Sequence, residues 1–452
     1  MNSRLHAALL KHNRPVPRYT SYPTTPNFLK NFAEDTVSIW LEEVEPGTPV
    51  SLYFHVPFCK KMCWYCGCNT KATAQYSPVK NYLSYLRREI ELASQKHGNR
   101  LDVAHIHFGG GSPSYIRPDD FHSLMDHVRT CFNLLPNAEV AIELDPRETS
   151  EAKVAAYAKA GVNRASLGVQ DFNRTVQQAI NRVQPFHVVY EAVEILRSYG
   201  IEAISFDLLY GLPNQSVESV RESASLAAAL TPERIALFGY AHVPWMKKHM
   251  RLIDEETLPG ALERLEQFDA ARQTLRERGY LEVGLDHFVR SDDTMAIAHQ
   301  AGRLQRNFQG YTTDGANTLI GFGPSAISSF EGGYSQNTPD LRDYIQRIEE
   351  DRLPVTKGIE LSADDRLRRG IISSLMCYGA VDLSDFAAKH ADGEINFESD
   401  MANLKILEQD GLIYVEGSKI TVKNGASQAC RLVAAAFDNY LQPLKQQHAQ
   451  VA

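Results

Sequence analysis

Four of the chain's seven cysteines fall within ten residues, with the spacing C-x3-C-x2-C-x-C from Cys59 to Cys68. A structural zinc site usually separates two close cysteine pairs by a dozen or more residues, so that ligands approach the ion from two sides. Crowded thiols on one short loop are better matched to a polynuclear iron–sulfur cluster, whose iron corners lie close together. A zinc site and a redox-active thiol pair stay open as alternatives.

The remaining cysteines, Cys131, Cys377 and Cys430, are scattered and are expected to be small buried hydrophobic side chains. The chain has 452 residues and a formal net charge of −8, which argues against a general nucleic-acid binder. No stretch of about 18 apolar residues occurs, so we expect no membrane span. The first residues have no apolar signal core, and clustered cysteines are typical of reducing compartments, so we expect a cytoplasmic protein. Nothing in the sequence marks a large apolar interface, and a monomer is expected.

Short β-branched runs alternate with amphipathic helical patterns from residue 49 onward. The predicted strands are residues 50–56, 103–108, 139–144, 165–169, 203–209, 234–240 and 281–286. The predicted helices are residues 79–96, 118–132, 150–160, 187–199, 216–230 and 260–279. This alternation indicates about six parallel β/α units. Periodicity leaves open whether they form an open doubly wound sheet or a full or partial barrel.

Glycines and polar side chains follow each of the first six predicted strands. Cys59 follows the first strand, a Gly-Gly-Gly-Ser run ending at Ser112 follows the second, and Glu143 ends the third. Gln170 comes after the fourth, and Asp207 lies within the fifth. Because the carboxyl ends of parallel strands meet at one edge, the sequence predicts a functional site there.

The two ends of the chain break this rhythm, and we predict boundaries that give residues 1–48, 49–361 and 362–452. The first segment is interpreted as an extended arm that either lies on the surface or closes over the site. The last segment has helical patterns, two strand-like runs at 411–416 and 419–423, and a final helix at 427–440, as in a winged-helix-like domain. Residues 364–440 hold 12 acidic and 8 basic side chains, so we expect a structural or substrate-covering role rather than DNA binding.

Several motifs together resemble one known family. C-x3-C-x2-C with Tyr65 just before the third cysteine resembles the signature of the radical S-adenosylmethionine (SAM) superfamily. Over residues 15–440, a set of further motifs resembles the oxygen-independent coproporphyrinogen III oxidases. These motifs are Arg18-Tyr-Thr-Ser-Tyr-Pro23, Gly109-Gly-Gly-Ser112, Glu143-Leu-Asp-Pro-Arg147, Gly168-Val-Gln-Asp-Phe172, Asp207-Leu-Leu-Tyr-Gly-Leu-Pro213 and Asn307-Phe-Gln-Gly-Tyr-Thr-Thr313.

The resemblance implies a fold and cofactors. The fold is an α/β partial (β/α)6 barrel with an N-terminal arm and a mainly helical, winged-helix-like C-terminal domain. Cys59, Cys63 and Cys66 would bind a [4Fe–4S] cluster whose fourth iron stays open for SAM. Two SAM molecules are expected, and Cys68 would lie near the cluster without binding it.

The resemblance also assigns side chains. The residues expected to line the first SAM molecule are Tyr53, Tyr65, Gly111, Glu143 and Ile327. Those expected to line the second are Ser112, Gln170, Arg182, Asp207 and Ala241. Phe308 and Gln309 match a family segment near the reacting atoms. Carboxylates suit amino and hydroxyl groups, and an arginine suits a carboxylate.

The reaction implied is the anaerobic decarboxylation of two propionate side chains of coproporphyrinogen III to vinyl groups, which gives protoporphyrinogen IX. A 5′-deoxyadenosyl radical would start the reaction. A one-electron donor such as flavodoxin or ferredoxin would supply electrons to the cluster. The alternative is a haem chaperone paralogue without oxidase activity, although such paralogues lack the residue 18–28 arm and the fourth cysteine. Ser112 and Trp64 depart from the family's usual Thr and Tyr. A substrate with four carboxylates should also require a basic patch inside this acidic chain.

Overall fold

A thirteen-stranded sheet, with helices packed on one face, is the framework of the molecule. The structure is a computed structural model that describes residues 3–387 and 397–441. Residues 1–2 of the predicted arm, and residues 388–396 and 442–452 of the predicted C-terminal domain, lie outside the described residues.

The elements alternate between strand and helix through most of the chain. The strands are β1 Leu29–Lys30, β2 Val50–Val56, β3 Phe58–Cys59, β4 Lys71–Ala72, β5 Asp102–Gly110, β6 Asn133–Leu144, β7 Arg164–Gln170, β8 Ala203–Tyr210, β9 Arg234–Gly239, β10 Leu281–Val283, β11 His287–Val289, β12 Gln305–Asn307, β13 Gly310–Thr312, β14 Thr318–Phe322, β15 Ile327–Ser329, β16 Gly333–Asn337, β17 Val355–Glu360, β18 Ala380–Asp382, β19 Ile413–Glu416 and β20 Lys419–Val422. The helices are α1 Ser3–Lys11, α2 Glu34–Glu42, α3 Ser77–His97, α4 Pro118–Cys131, α5 Glu151–Lys159, α6 Arg174–Ala179, α7 Phe186–Ser198, α8 Val217–Ala229, α9 Ala261–Glu277, α10 Thr294–Gln300, α11 Leu341–Glu349, α12 Ala363–Tyr378, α13 Leu383–Ala387, α14 Glu398–Gln409 and α15 Cys430–Ala436.

Six strands, β2 and β5 to β9, lie side by side in chain order and pair in parallel. They are the predicted β/α units, and the sheet is open, with β1 and β10 at its two edges. The predicted α/β fold of parallel β/α units is therefore confirmed, and the strand pairing of the described residues forms no closed barrel.

Two features of the sheet differ from the sequence prediction. A seventh parallel strand, β14, pairs with β2 and was not predicted. The strand predicted over residues 281–286 is instead the short β10, which reverses through Gly284 at φ +63° into the antiparallel β11. A positive φ is open to glycine at little cost, so the apolar run turns back instead of extending.

The two faces of the parallel strands differ in chemistry. On the helix-covered face, the ring of Phe54 stacks between those of Phe108 and Phe322, with centroid distances of 4.8 and 5.1 Å. Helix α3 covers this face with buried residues at three- and four-residue spacing, among them Leu83 and Leu86. The opposite face carries Tyr53 and its register partner His107, which are only partly buried. One face therefore stabilises the fold, and the other is available for chemistry.

Residues 1–48 are more structured than the extended arm that the sequence suggests. Leu5 and Leu9 of α1 are buried in the core of the C-terminal domain. Trp40 of α2 packs instead against Phe32 and Phe330 at the edge of the large sheet. The segment therefore joins the two regions through packing at both of its ends.

The C-terminal region has the predicted winged-helix-like order of elements. Helix α12 is followed by β18, α13, α14, β19 and β20, and these three strands form a separate antiparallel sheet in the order β18-β20-β19. Among the residues that the structure describes, no helix combines the length and the apolar character needed to cross a bilayer.

A buried glutamate ties the unpredicted strand β14 to the helix layer. Glu89 of α3 is 2% exposed and accepts hydrogen bonds from Gly323 N at 2.7 Å, Asn337 Nδ2 at 2.7 Å and Tyr344 Oη at 2.6 Å. Burial raises the pKa of Glu89 to about 7, although the three donors favour the charged form. Above that pH, one carboxylate holds the loop after β14, strand β16 and helix α11 together.

We expect Glu89→Gln to lower the free energy of unfolding at about pH 8 by about 1–3 kcal/mol, because the amide turns an NH2 group toward buried donors. The measurement is the anaerobic thermal midpoint at one scan rate. Glu349→Gln is the matched control, since Glu349 accepts from Tyr85 Oη at 2.7 Å on an exposed surface. Equal midpoints for both variants would contradict the structural role of the buried network.

Candidate active site

The four clustered cysteines lie on a loop at the carboxyl end of β2, defined here as the cysteine loop, residues 59–70. The loop is closed at its base by parallel pairing of β3 with β4. Lys71 N donates to Pro57 O at 3.0 Å, and Thr73 N donates to Cys59 O at 2.9 Å. The cysteine loop is thus held at the rim that the sequence predicts.

The sulfur atoms lie in a positively charged environment. Arg182 Nη1 lies 3.5 Å from Cys63 Sγ, and Arg147 Nη2 lies 3.8 Å from the same atom. Both guanidinium groups also contact Asp145 Oδ2, at 3.2 and 2.6 Å. Burial raises the pKa of Asp145, but the two arginines outweigh it and bring that pKa down to about 2. Fixed donors and positive charge of this kind stabilise thiolates.

The other thiols also lie close to one another. The hydrogen bond from the Cys68 thiol lowers the pKa of Cys66, and burial raises the pKa of Cys59 to about 11. Cys59 Sγ lies 3.3 Å from Thr70 Oγ1. Within the described ranges, no three His, Cys, Asp or Glu side chains converge on a single metal position. In a polynuclear cluster each thiolate binds a different iron, so convergence on one point is not required, and the donor set fits the cluster better than one zinc ion.

A run of three glycines lets the second strand end approach the cysteine loop closely. Gly111 N donates to Val56 O at 2.8 Å, and a Cβ at Gly111 would lie 2.4 Å from Thr70 Oγ1. Gly110 has φ +109°, and its N–H donates to Glu143 Oε2 at 3.2 Å. A side chain at Gly111 would push the cysteine loop away from the end of β5, and one at Gly110 would collide with the His55 ring.

Four side chains, Tyr53, His107, Glu143 and Asp207, share the uncovered face of the sheet and are called the polar face. The ring of Tyr53 stacks on His107 with centroids 5.9 Å apart, and His107 Nε2 lies 3.1 Å from Glu143 Oε1. Burial, and then the charge of Glu143, raise the pKa of Asp207 to about 7, with Ser166 Oγ at 3.5 Å from its carboxylate. The polar face therefore holds an acid whose charge changes near neutral pH.

A buried histidine links the polar face to the cysteine loop. His55 Nε2 lies 2.8 Å from Asn69 O, and His55 Nδ1 lies 3.1 Å from Tyr53 Oη. Burial lowers the pKa of His55, so the ring is neutral. Because a carbonyl only accepts, Nε2 carries the proton, and Tyr53 donates to Nδ1. The orientation of the Tyr53 hydroxyl is thereby fixed.

The other predicted site residues fall into two places. Tyr65 and Arg182 lie at the cysteine loop, and Ser112 N donates to Phe58 O at 2.8 Å beside it. Gln170, at φ +66°, ends β7 next to Gly168, whose carbonyl accepts from Arg182 Nη2 at 2.8 Å. Ala241 follows the end of β9. These positions are gathered at the rim.

Ile327, Phe308 and Gln309 lie away from the cysteine loop. Ile327 on β15 and Phe308 pack against one apolar cluster that contains Tyr334, and the rings of Phe308 and Tyr334 meet edge to face at 5.6 Å. The Gln309 side chain is exposed, and its backbone N–H donates to Asn307 Oδ1 at 2.9 Å. The structure therefore does not bring Gln309 to the rim.

Sequence reasoning missed His55 and His107, described above, and four further residues of the site. Asp145 and Arg147 belong to a motif quoted above, but the contact of Arg147 with Cys63 and its ion pair with Asp145 had no sequence signal beyond their place at a strand end. Lys247 Nζ donates to Cys68 O at 2.8 Å, and His249 Nε2 lies 2.7 Å from Cys66 O. Only tertiary structure could show these two contacts, because about 180 residues separate the partners.

Comparison with known proteins agrees with this geometry. Residues 53–227 match the radical SAM superfamily. The chain is 46% identical over 436 residues to the oxygen-independent coproporphyrinogen III oxidase of Bradyrhizobium diazoefficiens, covering 96% of this chain and 97% of that protein. It is 36% identical to the enzyme of that name from Helicobacter pylori, covering 95% of each.

A solved structure resembles the whole chain. The coproporphyrinogen III oxidase of Escherichia coli, described as a radical SAM enzyme, superimposes with a TM-score of 0.89 and 36% identity. The match covers 96% of this chain and 99% of that one. The likeness therefore includes the arm and the C-terminal region as well as the sheet.

Proposed function

The chain belongs to the oxygen-independent coproporphyrinogen III oxidases of the radical SAM superfamily, and we propose on that ground that it converts coproporphyrinogen III to protoporphyrinogen IX. Two propionate side chains would each lose CO2, one hydrogen atom and one electron to become vinyl groups. The observation that carries the proposal is the position of the cysteine loop. It lies at the rim of the open sheet and is joined to the polar face through His55. The hydrogen atom would go to the 5′-deoxyadenosyl radical, and each decarboxylation would require a one-electron acceptor.

Cys59, Cys63 and Cys66 would hold a [4Fe–4S] cluster. When bound, the cluster and SAM supply the 5′-deoxyadenosyl radical that removes a hydrogen atom from a propionate. Arg147 and Arg182 hold positive charge at the Cys63 sulfur. The packed Tyr65 excludes water beside that thiolate.

We propose two SAM positions. Tyr53, Tyr65, Gly111 and Glu143 would contact the first, with Ile327 at its margin. Ser112, Gln170, Arg182, Asp207 and Ala241 would line the second. The support is that nine of these ten residues lie at the rim or on the adjoining polar face, where acceptors, one guanidinium and close backbone approach occur together. Phe308 and Gln309 are proposed to act on the substrate, and the support is that Phe308 lines a cavity together with arm residues 19–22.

Two alternatives are less well supported. The relatives that cover nearly the whole chain are named oxidases, which does not favour a haem chaperone. A structural zinc protein does not explain an open loop beside a polar face.

We further propose a cytoplasmic monomer that is reduced by flavodoxin or ferredoxin. Residues 58–64 and 243–252 hold five lysines and arginines and no acidic residue. Trp245 and Met246 are 63% and 62% exposed, next to Lys247, which contacts the cysteine loop. An acidic electron carrier would bind this basic and apolar surface close to the cluster ligands. The acidic residues 254–256 follow in the chain and limit the surface on one side.

The proposed function predicts product only from cluster-loaded protein. Under strict anaerobiosis, reconstituted protein with SAM, reductant and coproporphyrinogen III should release CO2 and protoporphyrinogen IX. Cys59→Ala should abolish both the brown colour near 400 nm and the product, whereas Cys68→Ala should keep the cluster absorbance. Wild-type protein that binds zinc and stays colourless, or that is brown but transfers haem without releasing CO2, would overturn the proposal.

The charge of Asp207 should control SAM affinity. Below its pKa of about 7 the carboxyl keeps its proton and loses an acceptor for a hydroxyl or amino group. SAM binding to the cluster-loaded protein, measured by equilibrium dialysis, should therefore tighten about tenfold between about pH 6 and about pH 8. Asp207→Asn should remove this dependence. A variant that keeps the wild-type pH profile would show that another group titrates.

Electron transfer should depend on the basic surface. Lys61→Glu combined with Lys248→Glu should lower the ratio of flavodoxin-driven to dithionite-driven turnover about tenfold, because like charges slow the encounter with an acidic carrier. Lys405→Glu on the distant helix α14 is the control for a simple change in net charge. An unchanged ratio in the double variant would place the carrier elsewhere.

A further inference from the structure

Three arginines line one cavity on the open side of the sheet. Arg306, Arg366 and Arg369 surround a space of about 290 Å³ between arm residues 19–22, the hairpin of β12 and β13, and helix α12. Arg306 Nε and Nη2 donate to Tyr19 O and Arg18 O, each at 3.3 Å. Arg369 Nη1 lies 3.4 Å from Tyr334 Oη. These partners are neutral and do not themselves compensate the guanidinium charge.

The carboxylates near the cavity are already occupied. Asp314 lines it, but its oxygens accept from Ser51 Oγ and from Ala316 N at 2.9 Å. Asp286 pairs with His287 Nδ1 at 2.7 Å. Burial raises the pKa of Asp286, but the hydrogen bond with His287 and the charges of His287 and Arg306 outweigh it and lower that pKa. In the part of the chain that is described, no ion pair joins an acid to any of the three cavity arginines. An acidic chain with a net charge of −8 therefore keeps a local excess of positive charge here.

The cavity adjoins the site. Leu319 of β14 lines it, and its register partner in β2 is Ser51, two residues before Tyr53 of the polar face. Phe308 lines it as well and packs in the same apolar cluster as Ile327. A molecule on the polar face could therefore extend its side chains between the arm and α12.

We propose that Arg306, Arg366 and Arg369 bind carboxylates of the propionate side chains that are not reacting, and so hold the macrocycle against the polar face. This inference rests on the proposed function and names the substrate contacts of the same site. Pockets that enclose a drug-sized ligand measure about 300–1,000 Å³, so this cavity suits propionate arms rather than a whole tetrapyrrole. A guanidinium group can bind a carboxylate through two parallel hydrogen bonds, which fixes the orientation of the bound propionate as well as adding affinity.

The test uses coproporphyrin III, a stable tetracarboxylate, and its tetramethyl ester, which has the same ring without charge. Binding to the full-length, cluster-loaded protein is followed by porphyrin fluorescence. Arg369→Gln should weaken binding of the tetra-acid about tenfold, and Arg366→Gln with Arg369→Gln about a hundredfold, with little change for the ester. Arg342→Gln, an exposed arginine on α11, is the matched control.

Three other outcomes overturn the assignment. An equal loss of binding affinity for the tetra-acid and for the ester would mean that the arginines only hold the arm and α12 in place. Unchanged affinity for the acid would place the carboxylates elsewhere. Loss of SAM binding in dialysis, with the acid unaffected, would assign the arginines to the methionine carboxylate. Wild-type protein that binds the tetra-acid through these arginines but forms no product would refute the proposed function and leave the anion site intact.

Discussion

One buried guanidinium joins the parts of the site that the chain brings from far apart. Arg182 contacts the Asp145 carboxylate at the end of β6, the Gly168 carbonyl in β7 and the Cys63 sulfur at 3.5 Å. Its Nε is buried without a protein partner among the described residues. A buried charge is stable only with compensating charge, so the strand ends must stay in register for the arginine to be accommodated. Because Arg182 also contacts Cys63, the position of the cysteine loop depends on the same strand register.

The second constraint is space. At Gly111 the end of β5 lies against Val56 O, Phe58 O and the Thr70 side chain, and only a missing Cβ permits this approach. On the other side of β2, a Cβ at Gly321 would lie 2.5 Å from Ile327 O. Glycines therefore stand where backbone meets backbone, and the polar side chains stand where a ligand has room. This separation explains why the polar face is open although the strands themselves are buried.

How far the sequence predicted this arrangement depends on the range of each interaction. The six β/α units, the winged-helix-like order and the site rim followed from local periodicity and from residues at strand ends. Strand β14 was missed because its five buried residues lack flanking helices and resemble any short apolar run. The contacts of Lys247 and His249 with the cysteine loop depend on tertiary packing alone. The cofactor assignments rest on family resemblance, which supplied what spacing could not.

An open sheet also explains why the two ends of the chain are large. The parallel strands enclose the space above the polar face on one side only, because the sheet ends at β1 and β10. The remaining side is covered by arm residues near Tyr19, by the β12–β13 hairpin and by α12. Arg431 of α15 donates to Pro17 O at 3.1 Å, and Arg306 donates to Tyr19 O at 3.3 Å, so guanidinium groups from two regions bind the arm through its carbonyls. Carbonyl acceptors bind the arm without neutralising Arg306, so the side that covers the site also carries positive charge.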